Sequence, residues 1–159
     1  GTVELPLMEA SSLLDPDAYA PRVATLRRFI AIAKKYNTPV AVETDLGPAA
    51  LAALIKEVPD ITVVYDSGNS AGMGYDVGEE LMAYGEHISN VHIKDKPVGG
   101  VTVPLGTGSV DFSRLFFLLR KMHYTGAVTL QAARGEDGRE VETIKNYTEF
   151  IKDAYEKSV

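Results

Sequence analysis

The sequence predicts an α/β fold on a parallel sheet of about five β/α units, either part of a (β/α) barrel or an open doubly wound sheet. Short apolar runs alternate with segments of helical spacing, and most of the runs are continuous enough to be covered on both faces. Each run also stops on polar residues, so that four neighbouring strands present chemistry at a common edge. No linker, low-complexity tract or charge block divides residues 1–159, which read as one domain.

Val3-Glu4-Leu5-Pro6-Leu7-Met8 opens the chain as a strand. Val23, Leu26, Phe29, Ile30 and Ala33 recur at helical spacing, with Pro21 in the first turn and Asn37 as the C-terminal stop. Val40-Ala41-Val42 is the second strand, and Gly47-Pro48 opens a helix carrying Leu51, Leu54, Ile55 and Val58. Ile61-Thr62-Val63-Val64-Tyr65 is the third strand. The Asp66-Ser67-Gly68-Asn69 that follows has turn chemistry. Asp76 caps a helix through Leu81 and Tyr84, and Ile88-Ser89-Asn90-Val91 is the fourth strand. Asp111 caps a helix of Phe112, Leu115, Phe116, Leu119 and Met122. Ala127-Val128-Thr129-Leu130 is the fifth strand, and Val141, Ile144, Tyr147, Ile151 and Ala154 stripe the last helix.

Composition narrows the function. A net charge of −6 with scattered basic residues argues against a nucleic-acid partner, since counterion release needs clustered Lys and Arg. The absence of cysteine excludes disulfides and thiolate zinc sites and fits a reducing cytoplasm, the expected location. No apolar run approaches the roughly 18 residues of a membrane span.

The strand endings are Glu43-Thr44-Asp45, Asp66-Ser67-Gly68-Asn69, His92-Ile93-Lys94-Asp95 and Gln131-Ala132-Ala133-Arg134. In parallel α/β folds the carboxyl ends of strands are where side chains from separate elements converge on rigid supports. Glu43, Asp66, His92 and Gln131 together make an oxygen/nitrogen pocket suited to Mn²⁺ or Mg²⁺, with Co²⁺ or Zn²⁺ also compatible. Taken singly, Glu43 could cap the next helix, Asp66 could close an Asx turn and His92 could be a satisfied core histidine; only their joint placement points to a site. Gly72-Met73-Gly74 with Gly78 misses the dinucleotide fingerprint. Gly106-Thr107-Gly108 lacks the lysine of a P-loop but can lend backbone N–H groups to an anion. His87 and His123 precede strands at the opposite edge and read as structural.

These endings, with Asn90-Val91-His92-Ile93-Lys94-Asp95, Val103-Pro104-Leu105-Gly106-Thr107-Gly108, Val110-Asp111-Phe112 and His123-Tyr124-Thr125-Gly126, resemble the C-terminal part of the xylose isomerase-like TIM barrels. That superfamily of sugar-phosphate isomerases and epimerases also contains the AP endonucleases. The resemblance implies strands four to eight of a barrel whose first three units are absent, and hence pairing with a missing N-terminal half or a homo-oligomer. It implies a divalent-metal-dependent isomerase or epimerase of a sugar or sugar phosphate, working by proton transfer through a metal-stabilised enediolate. Glu43, Asp66 and His92 match three family ligands, and Glu43 is the expected base. Gln131 stands where the fourth ligand and second acid/base Glu belongs. Asn69 stands where many members have a second histidine, and the variant with Asn resembles the pentulose-phosphate epimerase branch. Asn69, Lys94, Asp95 and Arg134 are the expected substrate contacts, Lys94 and Arg134 for a phosphate or carboxylate.

Gln131 can coordinate through its carbonyl but cannot exchange a proton at neutral pH. That leaves a one-base isomerase, a recruited acid, or a catalytically silent carbohydrate-binding barrel fragment. Hydrolysis like that of the AP endonucleases needs a His-rich multi-metal cluster, and only His92 reaches this edge.

Overall fold

In a computed structural model, which describes residues 1–158, five strands stand side by side in sequence order and all pair in parallel. They are β1 (Val3–Leu7), β2 (Val40–Thr44), β3 (Ile61–Asp66), β4 (Ile88–Ile93) and β5 (Ala127–Leu130). The connecting helices are α1 (Pro16–Lys34), α2 (Pro48–Glu57), α3 (Ser67–Met73), α4 (Val77–Tyr84) and α5 (Phe112–Lys121), with α6 (Glu140–Lys157) after β5.

One strand face packs on the helices. Val40, Val42, Val63, Val91 and Ile93 are buried there against Leu26, Ile30, Leu54, Leu115 and Phe116. The other face carries Glu4, Thr62, Asn90 and Thr129 and is polar. Asn90 Nδ2 donates to Glu4 Oε1 at 2.6 Å, and Thr129 Oγ1 donates to Asn90 Oδ1 at 3.1 Å. A contact between β1 and β4, with two strands lying between them, requires the sheet to roll. The curvature is that of an incomplete barrel and sets aside the flat, doubly wound alternative. Ala41, fully buried and level with Glu4, takes up little of the concave face that Glu4 must cross.

Between β3 and β4 the register slips once: Val63 pairs with Ile88, but Val64 pairs with Asn90. Ser89 is the extra residue of a β-bulge, and its hydroxyl lies 2.9 Å from Thr62 Oγ1, on the same side as Asn90.

Two elements differ from the sequence expectation. Helix α1 begins at Pro16, five residues before Pro21, because Asp15 caps it through Asp17 N and Pro16 occupies the first turn. Pro21 lies inside the helix on its exposed side, where the lost backbone donor faces water. The Asp66-Ser67-Gly68-Asn69 segment opens a helix, α3, which Asp66 caps by accepting Asn69 N–H at 2.8 Å.

Candidate metal centre

Strand pairing sets the site. Asp66 and His92 are register partners on β3 and β4, and Glu43, one residue before the end of β2, lies one strand away on the same concave face. Ligand atoms of Glu43, Asp66 and His92 all lie within 4.8 Å of one another. Asp66 and His92 are buried and Glu43 is half-buried.

The arrangement asks for a cation. His92 Nε2 lies 3.3 Å from Glu4 Oε2, a contact that favours the Nε2–H tautomer and leaves the Nδ1 lone pair facing the cluster. Nδ1 then stands 3.6 Å from Glu43 Oε2, acceptor against acceptor. His92 Nδ1 and Asp66 Oδ2 are both buried without a hydrogen-bond partner. Lys94 Nζ does approach Asp66 Oδ2 at 2.7 Å, an ion contact without hydrogen-bond alignment. Two carboxylates and one imidazole whose free lone pairs converge fit a divalent cation of the Mg²⁺, Mn²⁺ or Zn²⁺ class.

Burial pushes Glu43 above the usual carboxylate range, and the Asp66 charge adds to this; Lys94, His92 and the hydrogen bond from Asn69 pull the other way. Asn69 Nδ2 donates to Glu43 Oε1 at 2.6 Å, which fixes one oxygen of Glu43 while the other faces His92.

Helix α3 is held against the end of β4. Ser67 Oγ donates to Lys94 O at 2.7 Å and accepts from Lys94 N at 3.0 Å. A Cβ on Gly68 would stand 2.6 Å from Lys94 Cγ, so the glycine lets the lysine stem lie on the helix. From α4, buried Glu80 accepts from Tyr65 Oη at 3.2 Å, from Tyr84 Oη at 2.8 Å and from Ser70 Oγ. This knot ties α3 to the strand that carries Asp66.

The structure thus brings Glu43, Asp66, His92, Asn69 and Lys94 together. Asp95, expected at the substrate, is fully buried and engaged elsewhere. It accepts N–H groups from Gly106 at 2.9 Å, Gly108 at 2.9 Å and Val110 at 3.2 Å. The anion served by the Gly-Thr-Gly loop is the protein's own carboxylate, and Asp95 pins that loop rather than a ligand. Gln131 keeps the concave parity of Thr129, whose register partner is His92, but its side chain is exposed. Arg134 is exposed and paired with Asp137 at 3.0 Å and Glu140 at 3.6 Å. Both line a groove between the end of β5 and α6 that none of the three cluster residues enters.

Glu4, Glu80 and Lys96 belong to the neighbourhood and are not evident from sequence. Glu4 sits mid-strand, and only β-alternation places it on the concave face. Glu80 lies within a helix pattern, and Lys96 beyond a strand end already assigned.

The sequence profile described as xylose isomerase-like TIM barrel matches residues 9–154. The chain belongs to that family. L-ribulose-5-phosphate 3-epimerase UlaE of Salmonella paratyphi A is 42% identical over 67 residues, which are 42% of this chain and 24% of that protein. The crystal structure of the xylose isomerase domain protein from Planctomyces limnophilus superposes with a TM-score of 0.78 at 22% identity, covering 98% of this chain and 58% of that one. The IOLI protein, whose structure carries a binding zinc atom, superposes with a TM-score of 0.72 at 21% identity over 86% of this chain and 56% of that one. This xylose isomerase-like chain spans little more than half the length of these solved structures, and its aligned stretch about a quarter of the curated relative. Among the described residues no helix is long and apolar enough to cross a membrane.

Proposed function

We propose that this chain carries the metal site of a sugar or sugar-phosphate isomerase/epimerase. The observation that carries the reading is the convergence of Glu43, Asp66 and His92 with unsatisfied acceptor atoms facing one another. The partial likeness to an L-ribulose-5-phosphate 3-epimerase supports a phosphorylated ketose as substrate. The zinc atom of the IOLI protein supports a divalent cation, with Mn²⁺, Mg²⁺ and Zn²⁺ all suited to this donor set.

When bound by Glu43, Asp66 and His92, such a cation would supply polarisation of the substrate carbonyl and compensation for the negative charge that develops next to it. The residues divide the remaining work. Glu43 is the base that removes the α-proton: its charge is destabilised by burial, which raises its proton affinity, and Asn69 fixes its orientation. Glu4 holds the imidazole of His92 in place. Lys94 balances Asp66 and keeps the edge from accumulating negative charge. Gln131 shares the concave parity of these residues but lines the groove beside α6, and its exposed side chain would have to turn inward to serve as a fourth wall. As an amide it moves no proton, which suits transfer between neighbouring carbons by one base.

The test is exchange of solvent deuterium into ketopentose 5-phosphates with Mn²⁺ present. The reading expects exchange by the wild type, loss of about 10³-fold or more in Glu43→Gln, and a changed exchange pattern in Gln131→Glu, which restores a second carboxylate. Failure of the wild type to exchange any ketose would overturn it. That result would favour a carbohydrate-binding barrel piece, for which the proton-inert Gln131 is the supporting observation.

A further inference from the structure

We propose that Lys96 is the phosphate-recognising group of this site and selects phosphorylated over neutral sugars. The inference rests on the isomerase/epimerase reading above and specifies its substrate class.

Three cations stand near the strand ends, and two are already engaged. Lys94 is committed to Asp66, and Arg134 to Asp137 and Glu140 in the separate groove beside α6. Lys96 Nζ donates instead to a neutral acceptor, Asn69 Oδ1, at 2.6 Å, and among the described residues no carboxylate pairs with it. Its charge is therefore available in a protein of net charge −6, where a free ammonium at the site edge is the feature that would draw in an anion.

The position is built. Lys96 O accepts Ser109 N–H at 2.9 Å, and Pro97 follows, so the backbone is anchored on both sides of the side chain. The stem runs over Gly72 of α3, where an added Cβ would stand 3.3 Å from Lys96 Cδ. Gly68 does the same for Lys94 one helical turn earlier, so α3 carries both lysine stems on one glycine-lined face toward the site.

The order of groups is what a phosphorylated ketose needs. Glu43 accepts from Asn69 Nδ2 at 2.6 Å, and Asn69 accepts from Lys96, so base and ammonium are separated by a single amide. A substrate whose reacting carbons lie at Glu43 can extend its chain past Asn69 and set a terminal phosphate on Lys96. A lysine there binds a dianion as a compact point charge with rotatable donors.

Calorimetry with inorganic phosphate, with a ketopentose and with the same ketopentose 5-phosphate tests this on the wild type and on Lys96→Met, Lys96→Arg and Lys56→Met. The expected result is about 10- to 100-fold weaker binding of phosphate and of the 5-phosphate to Lys96→Met. The neutral sugar should be held within about twofold, Lys96→Arg should recover most of the loss, and Lys56→Met, at an exposed position of α2, should match the wild type. Equal loss for neutral and phosphorylated sugar, or no loss for either anion, would overturn the proposal. Because the binding measurements need no turnover, failure of deuterium exchange sinks the isomerase reading separately and leaves the role of Lys96 to be decided by the phosphate data.

Discussion

His92 Nδ1 and Glu43 Oε2 face each other at 3.6 Å with no donor between them, while Nε2 of the same ring touches Glu4. Two lone pairs held together on rigid strands repel each other, and a cation lying between them would remove that repulsion. Divalent cations should therefore stabilise the fold. At 100 times the dissociation constant, about 2.7 kcal/mol is expected, or about 5–10 °C in thermal midpoint. Differential scanning fluorimetry with Mn²⁺ or Zn²⁺ should show this for the wild type and not for His92→Ala. An equal rise in both would place the cation elsewhere.

Gly68 should resist even the smallest side chain. A new Cβ would meet Lys94 Cγ at 2.6 Å and the Lys94 carbonyl carbon at 3.0 Å, and the backbone atom cannot swing away. Gly68→Ala is expected to cost about 1–3 kcal/mol in urea unfolding and to weaken cation binding, because α3 and its cap Asp66 must shift together. Gly72→Ala meets the Lys96 stem at 3.3 Å and backbone only at 4.0 Å, an ordinary contact, and should cost clearly less.

Asp95 should behave as a structural clamp. Asp95→Ala removes the acceptor of the part-buried N–H groups of Gly106, Gly108 and Val110, and about 1–3 kcal/mol of destabilisation is expected. Faster backbone amide exchange confined to residues 104–110 is the accompanying sign. Unchanged exchange there would return Asp95 to the list of ligand contacts.

Glu80 gives a pH signature. Burial raises its carboxyl above the usual range, and the hydrogen bonds from Ser70, Tyr84 and Tyr65 offset this only in part. A group raised on folding contributes most below its unfolded value, and that contribution is lost as the pH climbs through the folded value. Acidifying from neutrality toward the ordinary glutamate value of about 4.3 should therefore move the stability difference between wild type and Glu80→Gln in favour of the wild type. Paired thermal melts across that range measure it, and the opposite slope would mean that the three hydroxyl donors outweigh burial.

The strands, three helix caps and the carboxylate–imidazole edge were legible because each depends on local chemistry. Asp76, Asp111 and Gly47-Pro48 begin helices where they should, and Glu43, Asp66 and His92 lie in the last two residues of neighbouring strands. Helix α3 was not legible: Ser-Gly-Asn-Ser-Ala-Gly-Met has poor helix propensity and no apolar stripe, and it exists because Asp66 caps it and Ser67 pins it to β4. Asp95 misled because its partners lie 11 to 15 residues further on, in a loop whose return no periodicity announces. Glu4 and Asn90 are 86 residues apart and meet only because the sheet rolls.

The bulge at Ser89 has a consequence for how this chain can vary in length. Counting along β4, Asn90, Val91 and His92 are each locked to a β3 partner, and between Ile88 and Asn90 Ser89 has none. A chain lacking Ser89 would lose its contact with Thr62 yet still set His92 level with Asp66. One residue added after Asn90 would instead turn His92 toward the helices and bring a hydrophobic neighbour to face Glu43. Tolerance to insertion and deletion should thus change abruptly between two adjacent positions, with the site surviving on one side of that boundary and vanishing on the other.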